Sequence, residues 1–388
     1  MLILAAVTIN IVINGGLIGY ARNAREAQES EQAKEKEEML KAEYEMAKLT
    51  GGTEANTYDE YLLEQTYGVH IGDTINYNFL KSGQETSVTV NTEETGYYTE
   101  TTHNEETGKD EPVNINQTFT LPTENNLTWK VIGIENGHIL ISPTDVIGVT
   151  DSNPNGQPLR LKGKNGVTNG VNVLNKISEL YGHGNGAEET MYTYGSTKSG
   201  ARSITVEDIN NLTGYDVKGD SRYEKKWQYK LVADAETEGQ NKVQYSEDNG
   251  TTWNDCVDMM DNKIRNFEYY KNGNWGKLTE VGDTVELEDT GYIYYLTADQ
   301  KGLAYIENKG FWLASPYTGC NTSNAHFGLR LVNVLGVDAY VDYFGLYNSR
   351  GNAYDRGLGV RPVVSLRSDI QLTETPPGSG VWNITSTN

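Results

Sequence analysis

Read for where apolar residues recur, the chain divides into an apolar start, a charged helical stretch and a long region of period two. Residues 1–20 carry no charge and are mainly aliphatic or β-branched, interrupted by Asn10, Asn14 and the Gly15-Gly16 pair. A run of about 20 predominantly apolar residues spans a bilayer. A membrane segment is therefore expected here, with a buried core helix as the alternative. No basic region precedes it and no small-residue cleavage site follows, which argues against a secretory signal peptide. Residues 21–48 lack Gly and Pro and are rich in Ala, Glu and Lys, all strong helix formers. Glu37 and Lys41 lie one turn apart and support the helix. Gly51-Gly52 ends it.

Beyond residue 50 short helical patterns alternate with strand patterns. Tyr58, Tyr61, Leu62 and Gln65 recur at helical spacing, and Gly68 stops that helix. Residues 74–79 alternate cleanly and predict a strand. Residues 81–116 are polar and rich in Thr and Glu, which predicts a hairpin with little core. Asn136-Gly137 between residues 127–133 and 138–142 is a strong hairpin signal. A strand is expected at 158–162. A helix is expected at 170–180, with Val171, Leu174, Ile177 and Ser178 on one face. Another is expected at 205–212, where Thr205 and Asp208 have capping-box spacing. Residues 254–270 also read as helical, with Val257, Met260, Ile264 and Phe267 on one face. From Tyr292 onward the pattern is a run of short strands. Trp312 and Phe327 are expected as core anchors, and Pro362 as the mark of an edge strand or an irregularity.

Several local motifs change the picture little. Asp151-Ser-Asn153-Pro-Asn155-Gly156 resembles the first half of a calcium loop, but Lys162 stands where a bidentate Glu is needed. A polar turn is the better reading. Ser246 to Trp253 fits S-x-D-x-G-x-T-W, the Asp-box hairpin of sialidase-like propellers. A propeller would repeat it at blade spacing and this chain has one copy, so it implies a hairpin and no sialidase chemistry. Leu121-Pro122-Thr123-Glu124-Asn125 is a poor sortase signal, mid-chain and without the Thr-Gly.

Composition narrows the function class. The 388 residues hold 32 Lys+Arg against 54 Asp+Glu, a net charge of -22. Such a field repels phosphate backbones and argues against nucleic acid as a main partner. Two Cys and five His, with no C-x-x-C or H-E-x-x-H, leave little for a metal. No cofactor motif and no nucleophile elbow or P-loop is present, so binding is expected rather than catalysis. Cys256 and Cys320 could form a disulfide or remain two buried thiols. Tyr numbers 26 against 6 Phe, an excess that suits a wet, contact-making β surface.

Two stretches resemble known families. The apolar LILAAVTINIVINGG run followed by GYARNAREAQESEQAKEKE resembles the N-terminal helix of Gram-positive type IV pilin-like proteins. Members begin earlier, with a basic leader and a peptidase site, whereas this chain opens inside the apolar run. The expectation is a shortened helix or a start further upstream. The W-L-A-S-P block at 312–316, the F-G-L-R of 327–330 and the G-V-R-P-V-V-S-L of 359–366 resemble an uncharacterised domain of Gram-positive and phage surface proteins. That domain is similar to the C-type-lectin-like fold of formylglycine-generating enzymes and of the variable proteins of diversity-generating retroelements. Formylglycine chemistry needs a close cysteine pair, and Cys320 has none nearby in sequence.

These resemblances imply an α+β protein: a long N-terminal helix followed by a β-rich head of C-type-lectin-like fold. The expected divisions are 1–50 (helical anchor or filament stem), 51–124 (short helix and polar hairpins), 125–372 (lectin-like domain) and 373–388 (tail). The implied role is a bacterial extracellular, membrane-anchored or filament-assembled pilin-like surface protein for adhesion. Its partners would be a protein or glycan ligand on another cell or phage, like subunits in a filament, and a membrane reached through residues 1–20. A purely structural subunit is the alternative, and an enzyme on the same scaffold is a weaker one. The expected ligand face comprises Asn321, Asn324, Asn333, Asp338, Tyr340, Asp342, Tyr343, Tyr347, Asn348, Asn352 and Tyr354. Adenine-directed diversification of asparagine codons would produce this residue set, although polar strand faces and turns favour the same residues.

Overall fold

The computed structural model describes residues 17–53, 55, 57–105, 107–147, 158–194, 197–304, 309–335 and 338–385. The chain forms two compact units, 1–68 and 69–388. Strands account for 41% of the structure and helices for 20%. The class is therefore mostly β, which corrects the α+β expectation and, with it, the reading of a long N-terminal anchor helix carrying a lectin-like head. Residues 1–16, most of the expected membrane segment, lie outside the described residues, as does the Asp151–Gly156 motif. Among the described residues no helix is long and apolar enough to cross a membrane.

In the first unit the described helix Leu17–Thr50 is dominated by charged and polar residues. A second helix, Tyr58–Tyr67, is capped by Thr57 at its start and by left-handed Gly68 at its end. Tyr44 is buried against Tyr58 and Tyr61, with ring centroids 6.0 and 5.5 Å away.

The second unit is built on three larger sheets, accompanied by two-stranded ones. Seven strands run in the order Ala201–Ser203, Pro362–Ser365, His138–Pro143, Trp129–Glu135, Thr74–Asn76, Val381–Thr385 and Gln371–Glu374. The first strand of the unit thus lies beside its last, in the sheet's parallel pairing. Asn136 and Gly137 both take positive φ, the turn geometry their sequence signals. A second sheet orders Tyr294–Leu296, Asp338–Asn348, Ala325–Leu335 and Phe311–Cys320. A third orders Asn254–Asp255, Asn241–Ser246, Lys225–Ala233 and Thr284–Asp289.

The second sheet is covered on both faces. On one, helix Gly163–Ser178 approaches so closely that a Cβ on Gly170 would lie 2.7 Å from Leu329 Cδ1. On the other, Val332, Ala339 and Val341 share a core cluster with Ile132, Leu140 and Val363 of the seven-stranded sheet and with Ile209 of helix Val206–Thr213. Strands buried on both faces lose their apolar–polar alternation. Arg330 is consequently 1% exposed, its guanidinium 3.8 Å from the Tyr292 ring centre. Trp312 and Phe327 are fully buried. Trp312 donates its indole N–H to the Leu159 carbonyl at 3.0 Å.

Three local expectations are corrected. Residues 254–270 form no helix. The Asp258 carboxylate accepts the N–H groups of Met260 and Asn262, and Asp261 takes φ 60. This Asx-type loop outcompetes the helical ladder and leaves Met259 and Met260 exposed. Pro362 is in no edge strand: Pro362–Ser365 sits between two partners, and as the strand's first residue the proline is tolerated. The C-terminal strands are also longer than expected, up to 11 residues.

Candidate functional site

A cavity of about 400 Å³ opens where the end of the third sheet meets the second. This is at the small end of the ~300–1,000 Å³ typical of small-molecule sites. Strand Thr284–Asp289 delivers Asp289 to its wall and is stapled to the neighbouring sheet immediately afterwards. Thr290 N–H donates to the Thr318 carbonyl at 2.8 Å, and Thr318 N–H returns a bond to Thr290 Oγ1 at 3.0 Å. Tyr317 and Cys320 come from strand Phe311–Cys320, His326 from Ala325–Leu335 and Tyr343 from Asp338–Asn348. Arg222 precedes Lys225–Ala233, and Tyr354 follows the turn after Asn348.

Asp289 is the acidic centre. It is 5% exposed and accepts the Gly291 N–H at 2.7 Å. Burial pushes its carboxyl above the usual carboxylate range, against the pull of the Gly291 and Cys320 N–H groups and the Arg222 charge. Arg222 is held by Asp220, with contacts of 3.2 and 3.3 Å. Tyr317 and Tyr343 stack with centroids 4.0 Å apart and planes 14° from parallel. Burial and the neighbouring Tyr343 drive the Tyr317 hydroxyl far up, so it stays protonated. Burial lowers the His326 imidazole, which keeps it neutral at pH 7. The Cys320 thiol is also driven up by burial and by Asp289, and a protonated thiol is a poor nucleophile. Cys320 and Cys256 are both free thiols.

Hydrogen-bond acceptor, donor and flat aromatic faces therefore converge on one space. Such a set suits a neutral, hydroxyl-bearing ligand: hydroxyls meet Asp289, Arg222 and His326, and C–H faces meet the tyrosine rings. Among the described residues no cluster of three or more His, Cys, Asp or Glu could hold a metal.

The structure disperses the eleven expected ligand residues. Asn321, Tyr343 and Tyr354 line the cavity. Asn324 and Asn348 are buried and serve turns: Asn324 N–H and amide oxygen both bond Asn321, and Asn348 Oδ1 accepts the Arg350 and Asn352 N–H groups. Asn352 itself is exposed in that turn. Tyr347 is buried, donates to Glu268 and packs on Trp275. Asn333 and Tyr340 bond each other across the strand pair at 2.7 Å. Asp338 is exposed at its strand start, and Asp342 is half-buried opposite Leu331. Strand period two puts Asp338, Tyr340 and Asp342 on one face and Tyr343 on the other, so the set shares no surface.

Arg222, Asp289, Tyr317 and His326 escaped the sequence reading. They are scattered over more than a hundred positions and belong to no motif, so no spacing links them. Set against known proteins, the chain matches no family model, no curated protein and no solved structure.

Proposed function

We propose that this protein binds a small hydroxylated ligand, a glycan unit, in the Asp289 cavity, and that it does so as an extracellular surface or adhesion protein rather than a catalyst. The observation that carries the binding role is the convergence of the buried Asp289, the stacked Tyr317–Tyr343 pair and neutral His326 on one cavity of about 400 Å³. The extracellular setting is supported by the surface-protein resemblance of the 312–366 motifs. Retroelement diversification fits poorly at Asn324 and Asn348, whose side chains hold turns. It is confined in this proposal to the cavity positions Asn321, Tyr343 and Tyr354.

A glycan array probed with the full chain tests this reading, followed by titration of the best sugar. Tyr343→Ala is expected to weaken that sugar at least about tenfold, the loss of one stacking face plus its desolvated contacts. Tyr340→Ala, outside the cavity, is expected to change it less than twofold. Equal weakening by both variants, or no saturable glycan binding, would refute the reading.

A further inference from the structure

Arg330 is a buried charge with almost no partners. Among the described residues no carboxylate pairs with its guanidinium, and its Nε and Nη2 atoms have no hydrogen-bond partner. The cation lies against the Tyr292 ring. A buried charge is costly to keep unless it is paired. Tyr292, Tyr294, Tyr317 and Asp342 are the titratable groups around it, with Asp342 on the opposite face of the strand pair. The guanidinium makes one hydrogen bond among the described residues, from Nη1 to the Thr290 carbonyl at 2.6 Å.

That carbonyl belongs to the peptide that holds Asp289. The N–H of the same peptide is that of Gly291, which donates to Asp289 Oδ1 at 2.7 Å. A trans peptide points its C=O and N–H in opposite directions. Arg330 and Asp289 therefore sit at opposite edges of one peptide plane, with the positive group at the carbonyl and the carboxylate at the N–H. The plane is fixed from both sides. Thr290 and Thr318 exchange hydrogen bonds, and a Cβ on Gly291 would lie 2.8 Å from Asp289 Oδ1 and 3.1 Å from Tyr317 Cε2.

The other cations near Asp289 are already neutralised. Arg222 is paired with Asp220, and Lys225, opposite Asp289 across the strands, is paired with Glu247. Tyr317, Cys320, His326, Tyr343 and Tyr354 on the cavity wall supply no cation at pH 7. Arg330 is the one positive group beside Asp289 without an acidic partner of its own.

We propose that Arg330 is a positioning residue of the cavity: through the Thr290–Gly291 peptide it keeps Asp289 an anionic acceptor, to which ligand hydroxyls donate and from which acid releases them. The ligand half of this rests on the glycan reading; the charge relay does not. The polarised peptide makes the Gly291 N–H a stronger donor to the carboxylate. The relay spans at most about 8 Å. At an effective dielectric of about 20, a charge at that range moves a carboxyl by about one pH unit or more.

The test follows the Asp289 carboxyl carbon by NMR through a pH titration of the full chain without ligand, in the parent and in Arg330→Gln, Arg330→Met and Arg330→Lys. Both neutral variants are expected to raise the Asp289 midpoint by about one pH unit. Arg330→Lys, which keeps the cation, is expected to recover at least half of that shift. Neither neutral variant should lower the melting temperature, since each removes an unpaired buried charge. A midpoint unmoved in a folded neutral variant, or raised equally by Arg330→Lys, would overturn the inference. Affinity for the best sugar is expected to fall on acidification around the Asp289 midpoint, and at higher pH in Arg330→Gln than in the parent. Affinity that ignores that midpoint would also overturn it. A midpoint that moves as expected while no sugar binds would refute the glycan reading alone.

Discussion

Removing the Asp208 carboxylate is expected to be costly, because it leaves a charge stranded. Arg202 donates to both oxygens of Asp208, at 2.6 and 2.8 Å, and the two side chains are only 13% and 9% exposed. The same carboxylate closes the capping box of helix Val206–Thr213 by accepting the Thr205 N–H at 2.7 Å. Breaking a buried pair from one side costs about 3–5 kcal/mol, since the partner charge remains desolvated. Glu135 stays 3.6 Å from Arg202 and compensates in part, which points to the lower end, about 3 kcal/mol. Loss of the cap adds about 1 kcal/mol. Asp208→Ala should therefore destabilise by about 3–4 kcal/mol. In a unit of this size that lowers the melting temperature by roughly 6–10 °C. Urea denaturation followed by tryptophan fluorescence measures it. The double variant Arg202→Met with Asp208→Leu removes both charges and should recover much of the loss. A cost below about 1 kcal/mol for Asp208→Ala, or a double variant no better than the single, would refute the stranded-charge argument.

Asp289→Asn tests the acidic centre through pH. Folding raises the Asp289 value above its ordinary 3.8 by burial. Its contribution is thus favourable below 3.8 and is lost as pH rises through the folded value. The variant should melt higher than the parent at neutral pH, with the gain vanishing below pH 3.8. A variant less stable at neutral pH would mean that the Gly291 and Cys320 N–H bonds outweigh burial. Gly328→Ala should abolish soluble expression or destabilise by about 4 kcal/mol or more, since its Cβ would fall on the Phe344 carbonyl oxygen in the adjacent strand. Gly133→Ala, which meets nothing within 4 Å, is the tolerated control.

Local chemistry was legible wherever a few adjacent residues decide the backbone. Asn136-Gly137 turned a hairpin, Gly68 ended a helix, and Thr205 with Asp208 capped another. The Ser246–Trp253 motif closed as its spacing implied: Asp248 accepts the Thr252 N–H at 2.8 Å and Trp253 donates to the Gly250 carbonyl at 2.9 Å. These signals are short-range, and no distant contact can easily override a positive φ or a satisfied cap.

What only the tertiary structure decided is which face of each element is covered. The apolar residues at 257, 260, 264 and 267 fit a helical face, yet Ile264 and Phe267 are buried in an irregular loop while Met260 lies in solvent. Pro362 reads as the mark of an edge strand or an irregularity; its strand lies inside a sheet, where the missing N–H is tolerated at the strand's first residue. The Tyr/Asn-rich meander suggested one binding face. Its strands are instead sandwiched between a helix and a second sheet, so most of those side chains face packing, turns or one another. The candidate site itself joins Arg222, Asp289, Tyr317, His326 and Tyr343 from four strands and a loop. Turns and caps are set by neighbours in the chain. A cavity is set by neighbours in space, and those exist only after the sheets have packed.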